Sequence, residues 1–190
     1  MTTANKLTIL RVILIPVMIV VIYIEKLNNL SVGFLNLNYA QFIFLILFLL
    51  GTLTDFLDGY IARKYNQITT FGKFLDPIAD KLLVFVALLY LMLIDESRVP
   101  LWSVMIILTR EFIVTGIRLI AVGDGNVIAA SVWGKYKTAF SMIAIIWMLF
   151  NDFNLNPIYG NILYYIAVFL TLYSGLDYCF KNRKSIFKNI

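Results

Sequence analysis

Six apolar stretches, each near the ~20 residues that a helix needs to cross a bilayer, fill most of this 190-residue chain. They run Leu7–Ile24, Tyr39–Tyr60, Pro77–Ile94, Pro100–Val122, Val132–Phe150 and Pro157–Phe180. Runs such as Phe42–Leu50 are apolar without a break, whereas a membrane β-barrel alternates apolar and polar residues. The expected class is therefore an all-α integral membrane protein with six transmembrane helices. Composition agrees: 61% of residues are hydrophobic and 14% charged, against about 45–50% and about 25% in soluble domains. Abundant aromatic and branched residues exclude disorder, and Cys179, the single cysteine, excludes a disulfide scaffold. With no histidine, a Ser-His-Asp triad and a His-ligated zinc site are both excluded. Any general base must be a carboxylate, Lys, Tyr or the lone Cys.

No internal repeat, low-complexity tract or Pro/Gly-rich linker divides the chain, so residues 1–190 read as a single transmembrane domain. Leu7–Ile24 is too long for a signal-peptide core and has no small-residue cleavage site after it. It reads as a retained first helix. The net charge of +5, in so apolar a chain, points to a membrane and not to nucleic acid. Six spans put both termini and the 61–76 and 122–131 connections on one side. That side, helix ends included, holds 14 of the 16 Lys and Arg residues, with only Lys26 and Arg98 opposite. The positive-inside bias thus predicts that both termini are cytoplasmic. The tail cations Lys181, Arg183, Lys184 and Lys188 suit topology and anionic headgroups. Tyr60, Trp102 and Tyr178 are expected as interfacial anchors.

Charges inside spans are costly and usually functional, and here they are concentrated. Asp55 and Asp58 end the second span at i,i+3; Asp76 and Asp80 open the third at i,i+4, so each pair shares one helix face. Four carboxylates at one depth would repel severely without cations between them. Oxygen donors without His or Cys suit Mg²⁺ or Mn²⁺ better than zinc, and four carboxylates could hold two such ions. Plainer readings exist for each residue. Asp76 would be an N-cap before Pro77, Asp80 would pair with Lys81 or Lys73, Asp58 with Arg63, and Gly59 would serve close helix packing. Together these would have to place four acids at the same depth by coincidence, and a site is favoured.

The pattern Asp55-x2-Asp58-Gly59-x2-Ala62-Arg63-x8-Gly72-x3-Asp76-x3-Asp80 resembles the signature of the CDP-alcohol phosphotransferases. Asn5-Lys6-Leu7-Thr8-x2-Arg11, Thr109-Arg110-Glu111 with Arg118, and Gly134-Lys135-x-Lys137-Thr138 resemble further segments of that family's bacterial branch that makes phosphatidylglycerophosphate. Ala4 stands where that branch often has proline.

The resemblance implies transfer of the phosphatidyl group from CDP-diacylglycerol to sn-glycerol 3-phosphate, giving phosphatidylglycerophosphate and CMP for phosphatidylglycerol synthesis. It implies that Asp55, Asp58, Asp76 and Asp80 ligate the metal ions and that Asp80 is the general base. Gly59, Ala62, Arg63, Thr69, Asn5 and Thr8 would bind the nucleotide. It also implies a homodimer in the bacterial cytoplasmic membrane, multi-pass, with its active site facing the cytoplasm. The acceptor's phosphate needs cations of its own. Arg110 and Arg118, at i,i+8 on the fourth span, and Lys135, opening the fifth, are the candidates. The plainer reading there has Glu111 neutralising one of the arginines, and Lys135 obeying only the positive-inside rule. Thr109, Thr115 and Thr138 are expected to bond backbone carbonyls. Rival functions are the same chemistry on another acceptor, such as an inositol phosphate, and a divalent-cation transporter. The outer halves of the spans are nearly all apolar, which counts against transport. A structural scaffold leaves the buried acids unexplained.

Overall fold

The structure, a computed structural model, describes residues 2–33, 35–65, 69–123 and 132–181, without the side chains of Thr3, Ala4, Arg63, Thr70, Phe71, Lys73 and 119–123. The expectations placed on the Arg63 side chain and on Arg183, Lys184 and Lys188 fall outside the described residues. The elements run α1 (Thr3–Ile22), α2 (Glu25–Asn28), β1 (Ser31–Val32), β2 (Leu37–Asn38), α3 (Tyr39–Lys64), α4 (Thr70–Ile94), α5 (Leu101–Gly123), α6 (Val132–Leu149) and α7 (Ile158–Lys181), with a 3-10 turn at Asn151–Asn154 between the last two.

Local sequence accounts for several boundaries. Thr2 caps α1 by accepting from the Asn5 amide. Asn38 and Gln41 form a reciprocal capping box at the start of α3, with bonds of 2.7 and 3.0 Å. Thr69 accepts from the Gly72 amide at 3.0 Å and so starts α4. The third apolar stretch consequently begins earlier than its hydropathy suggests. Pro77 lies inside α4 and not at its first position, and Asp76 is a mid-helix residue, not an N-cap. The proline forfeits one backbone bond, a loss that a packed membrane helix tolerates.

Four helices are long and apolar enough to cross a membrane among the described residues: Asn5–Ile22, Tyr39–Ala62, Phe74–Ile94 and Ile158–Lys181. Charged residues set the other two long helices apart, Arg110, Glu111 and Arg118 on α5 and Lys135 and Lys137 on α6. The fold is thus helical and suited to an integral membrane protein. Large apolar side chains face outward, with Val20 60% and Phe169 66% exposed, as a lipid-facing surface permits.

Two compact units are formed, one from residues 1–90 with 149–154 and the other from 91–148 with 155–190. In the first, α1 packs on α3, and the core includes Met18, Phe44, Phe48, Leu83 and Leu88. Gly51 lets the Leu83 side chain approach so closely that an added Cβ would lie 2.9 Å from it. A β1–β2 hairpin pairs Ser31 with Asn38 and Val32 with Leu37. Its turn holds Leu35 and Asn36 at positive φ. Asn151 to Asn154 are also left-handed, with φ between 50 and 58°. The two turns are tied: Asn151 Nδ2 donates to the Leu35 carbonyl at 3.0 Å, and Asn36 Nδ2 donates to Asn154 Oδ1 at 3.2 Å.

In the second unit α5 packs on α7. Ser103 and Tyr164 share a buried hydrogen bond of 2.6 Å. Tyr178 is 2% exposed and packs with Val114 and Ile117. It is a core residue and not an interfacial anchor, because α7 turns that face onto α5. Tyr60 and Trp102 are exposed, as anchors are.

Candidate active site

Three helices of the first unit build one polar cluster. The end of α3 supplies Asp55 and Asp58, and the first turns of α4 supply Asp76 and Asp80. The start of α1 presents Asn5, Thr8 and Arg11, spaced i, i+3 and i+6, hence on one face of an otherwise apolar helix. All three are buried, Arg11 completely. Its guanidinium reaches Asp58 Oδ2 from Nη2 at 2.6 Å and Asp55 Oδ1 from Nη1 at 3.1 Å, and Nη1 also bonds Asp80 Oδ1. Thr8 donates to Asp76 Oδ1 at 2.7 Å and lies 3.3 Å from Asp58 Oδ2. The four aspartates therefore meet on α1.

Beside them is a smaller cradle. Thr69 Oγ1 donates to Asn5 Oδ1 at 2.9 Å while accepting from the Gly72 amide. A Cβ on Gly72 would lie 3.0 Å from Asn5 Oδ1, 3.2 Å from Thr69 Oγ1 and 3.7 Å from Asp76 Oδ2. Glycine is what lets these groups come together. Gly59 and Ala62 are half-buried on α3, following Asp58.

In the contacts seen among the described residues, one guanidinium faces four carboxylates, more negative charge than it alone can balance. In a poorly solvated place that surplus demands cations. The side chains of Asp55 and Asp80 are 43% and 44% exposed, against 5% for Asp58, so the outer carboxylates can be reached. Donor type and charge fit a hard divalent cation. Among the described residues, however, no three acidic or thiol side chains surround a common ion position. The carboxylates converge on Arg11, and metal ligation would draw on the same oxygens.

The second unit holds a cluster of opposite sign. Glu111 Oε1 accepts from Arg110 Nη1 at 2.9 Å and from Lys137 Nζ at 2.5 Å. Arg110 Nη2 donates to Ser174 Oγ of α7 at 3.1 Å. Of the three residues expected to hold the acceptor phosphate, Arg110 is in this cluster and two are not. Arg118 is exposed and lies over the Tyr178 ring, 5.7 Å from its centroid. Lys135 is exposed as well, and Lys137 is the buried lysine of α6. Two residues along a helix turn the side chain by about 200°, so only one of the pair can face inward. Thr115 and Thr138 bond the carbonyls of Glu111 and Gly134.

Sequence reasoning placed Arg11, Gly72 and Lys137 in family-like segments without giving them a role in the site, and left Ser174 unread. The Asn5-Thr8-Arg11 spacing is the signal that could have brought Arg11 into the site. Asp58 and Asp80 both pair with Arg11, and the Arg63 and Lys73 side chains of the plainer pairings lie outside the described residues. Glu111 does neutralise Arg110, as the plainer reading had it, and shares itself with Lys137.

Residues 1–173 match the CDP-alcohol phosphatidyltransferase family. This chain belongs to that family. Among similar proteins, CDP-diacylglycerol–glycerol-3-phosphate 3-phosphatidyltransferase of Bacillus subtilis (strain 168) is 41% identical over 186 residues, covering 96% of this chain and 95% of its own. The protein of the same name from Haemophilus influenzae is 38% identical over 189 residues, 97% of this chain and 95% of its own. That of Rickettsia bellii is 41% identical over 187 residues, 96% of each. As a CDP-alcohol phosphatidyltransferase the chain is a transferase, of a family that uses divalent metal ions.

Proposed function

We propose that this chain transfers the phosphatidyl group of CDP-diacylglycerol to sn-glycerol 3-phosphate, forming phosphatidylglycerophosphate and CMP. The observation that carries the reading is the gathering of Asp55, Asp58, Asp76 and Asp80 around α1 with a surplus of negative charge. Relatives named for this reaction, similar over nearly the whole chain, support the choice of substrates.

The acceptor hydroxyl oxygen attacks the phosphorus attached to the diacylglycerol, and the bond from that phosphorus to the CMP oxygen breaks, with its electron pair leaving on CMP. We assign the hydroxyl proton to Asp80, whose Oδ1 is bonded to Arg11 and whose Oδ2 is the accepting atom. Asp55, Asp58, Asp76 and Asp80 would hold Mg²⁺ or Mn²⁺, two ions by their number. Such ions neutralise and align a pyrophosphate during displacement. Asn5, Thr8 and Thr69 offer polar atoms to the nucleotide, Gly59 and Ala62 leave room for it, and Arg63 answers its phosphate. Arg110 binds the acceptor phosphate from the second cluster. Lys137 joins it there, with Arg118 and Lys135 as further cations of α5 and α6.

We read the helices as six spans of one domain, α1, α3, α4, α5, α6 and α7, with both termini and the site cytoplasmic. The charges of α5 and α6 are then site residues inside spans. A homodimer in the bacterial cytoplasmic membrane completes the reading. The test is CMP release by the purified protein in detergent. Release should require both Mg²⁺ or Mn²⁺ and sn-glycerol 3-phosphate. Release with an inositol phosphate and none with glycerol 3-phosphate would overturn the acceptor.

A further inference from the structure

The Arg110 side chain runs past α7 at one place only wide enough for a glycine. A Cβ on Gly175 would lie 2.8 Å from Arg110 Cγ, 3.8 Å from its Cβ and 3.9 Å from its Nε. The atom met most closely is in the stem, so an alanine there would displace the whole side chain and not merely its tip. One residue earlier, Ser174 is fully buried. Its hydroxyl donates to the Thr171 carbonyl at 3.2 Å and thereby turns a lone pair to Arg110 Nη2 at 3.1 Å. Glu111 holds Nη1 from the other end of the fork, and Arg110 Nε is buried without a partner among the described residues. Ser174 and Gly175 lie just past the residues matched to the family, and neither belongs to the sequence pattern that suggested the site.

We propose that Ser174 and Gly175 are positioning residues that seat Arg110, and that α7 in this way tunes affinity for the phosphate of the acceptor. The inference rests on the reading of Arg110 as an acceptor-phosphate ligand. A guanidinium recognises phosphate through paired, directional bonds, so a displaced stem costs affinity although the charge remains.

The experiment is steady-state kinetics of Gly175→Ala, Ser174→Ala and Arg110→Ala, singly and combined, with detergent unfolding temperatures beside them. Gly175→Ala and Ser174→Ala should each raise the KM for glycerol 3-phosphate at least fivefold. The kcat, the KM for CDP-diacylglycerol and the unfolding temperature should stay within error of the parent. In an Arg110→Ala background neither change should add to the effect, since the side chain they seat is gone. Ser174→Ala removes one atom and keeps the test alive if Gly175→Ala does not fold. An unchanged acceptor KM in both variants, with Arg110→Ala raising it, overturns the positioning role alone. An unchanged acceptor KM in Arg110→Ala overturns the acceptor assignment beneath it. Equal rises in both KM values, or full additivity with Arg110→Ala, also overturn the proposal.

Discussion

The two buried clusters share a plan and differ in sign. In the first unit a single cation, Arg11, gathers several carboxylates. In the second a single anion, Glu111, gathers Arg110 and Lys137. Among the described residues each central residue limits repulsion but leaves a surplus, negative in the first cluster and positive in the second. The surplus says what each cluster lacks. On the proposed function, the first would be completed by metal cations and the second by the phosphate of the acceptor. Burial sharpens both demands, because a charge removed from water must find its partner nearby.

The largest effect expected on this contrast is at Asp80. Asp80→Asn should lower kcat by about 10²-fold or more, the scale of a lost general base, with nucleotide binding retained in part. Asp58→Asn should instead weaken metal-dependent binding of CDP-diacylglycerol along with turnover. Measured CMP formation and binding for the two variants separate base from ligand, and near-parental turnover of Asp80→Asn would leave Asp80 as an ion-pair residue. Next comes Arg11→Met, which strips the carboxylates of their common partner. Breaking a buried pair costs about 3–5 kcal/mol, and the partial exposure of Asp55 and Asp80 puts this one near the lower end. The unfolding temperature in metal-free detergent should fall and recover in part with Mg²⁺. An unchanged temperature would mean that Arg11 does not balance the aspartates.

In the second cluster Arg110→Ala and Lys137→Ala should raise the acceptor KM about ten- to a hundredfold, as expected for charged bonds of about 1.5–3 kcal/mol. The exposed Lys135→Ala should change it by a few-fold at most. A larger effect at Lys135 than at Lys137 would reverse the choice of inward-facing lysine. The smallest effect is expected from Gly72→Ala, whose Cβ would crowd Asn5 and Thr69. A rise of roughly two- to fivefold in the KM for CDP-diacylglycerol should follow, the acceptor KM being untouched. If both KM values stay put, the cradle does not hold the nucleotide.

The long helices were legible because bilayer-length apolar runs leave little choice of structure. The aspartate pairs were legible because i,i+3 and i,i+4 spacing fixes a shared face whatever the helix packs against. Arg11 was not, since its partners lie 44 to 69 positions away and one arginine near a terminus reads as a topological charge. Lys135 was named for the acceptor phosphate and Lys137 was not, although a lysine pair two apart says that one faces inward and not which one; Lys137 is the buried one. Tyr178 failed for the same reason: the packing partner of its face is on α5. Pro77 misled because proline usually marks a helix start. The left-handed turn at 151–154 carried an unread signal, for three of its four residues are Asn or Asp, the types that best tolerate that conformation.

That turn has a consequence for biosynthesis. The first unit is discontinuous: residues 149–154 return to it after 58 residues of the second have been made. Arg11 and the four aspartates can meet once about ninety residues have emerged. The amides that clasp the Leu35–Asn36 turn through Asn151 and Asn154 reach it only much later, a contact of high sequence separation and so slow to form. The cluster on α1 can thus assemble early, and the clasp on the hairpin of the same unit forms later.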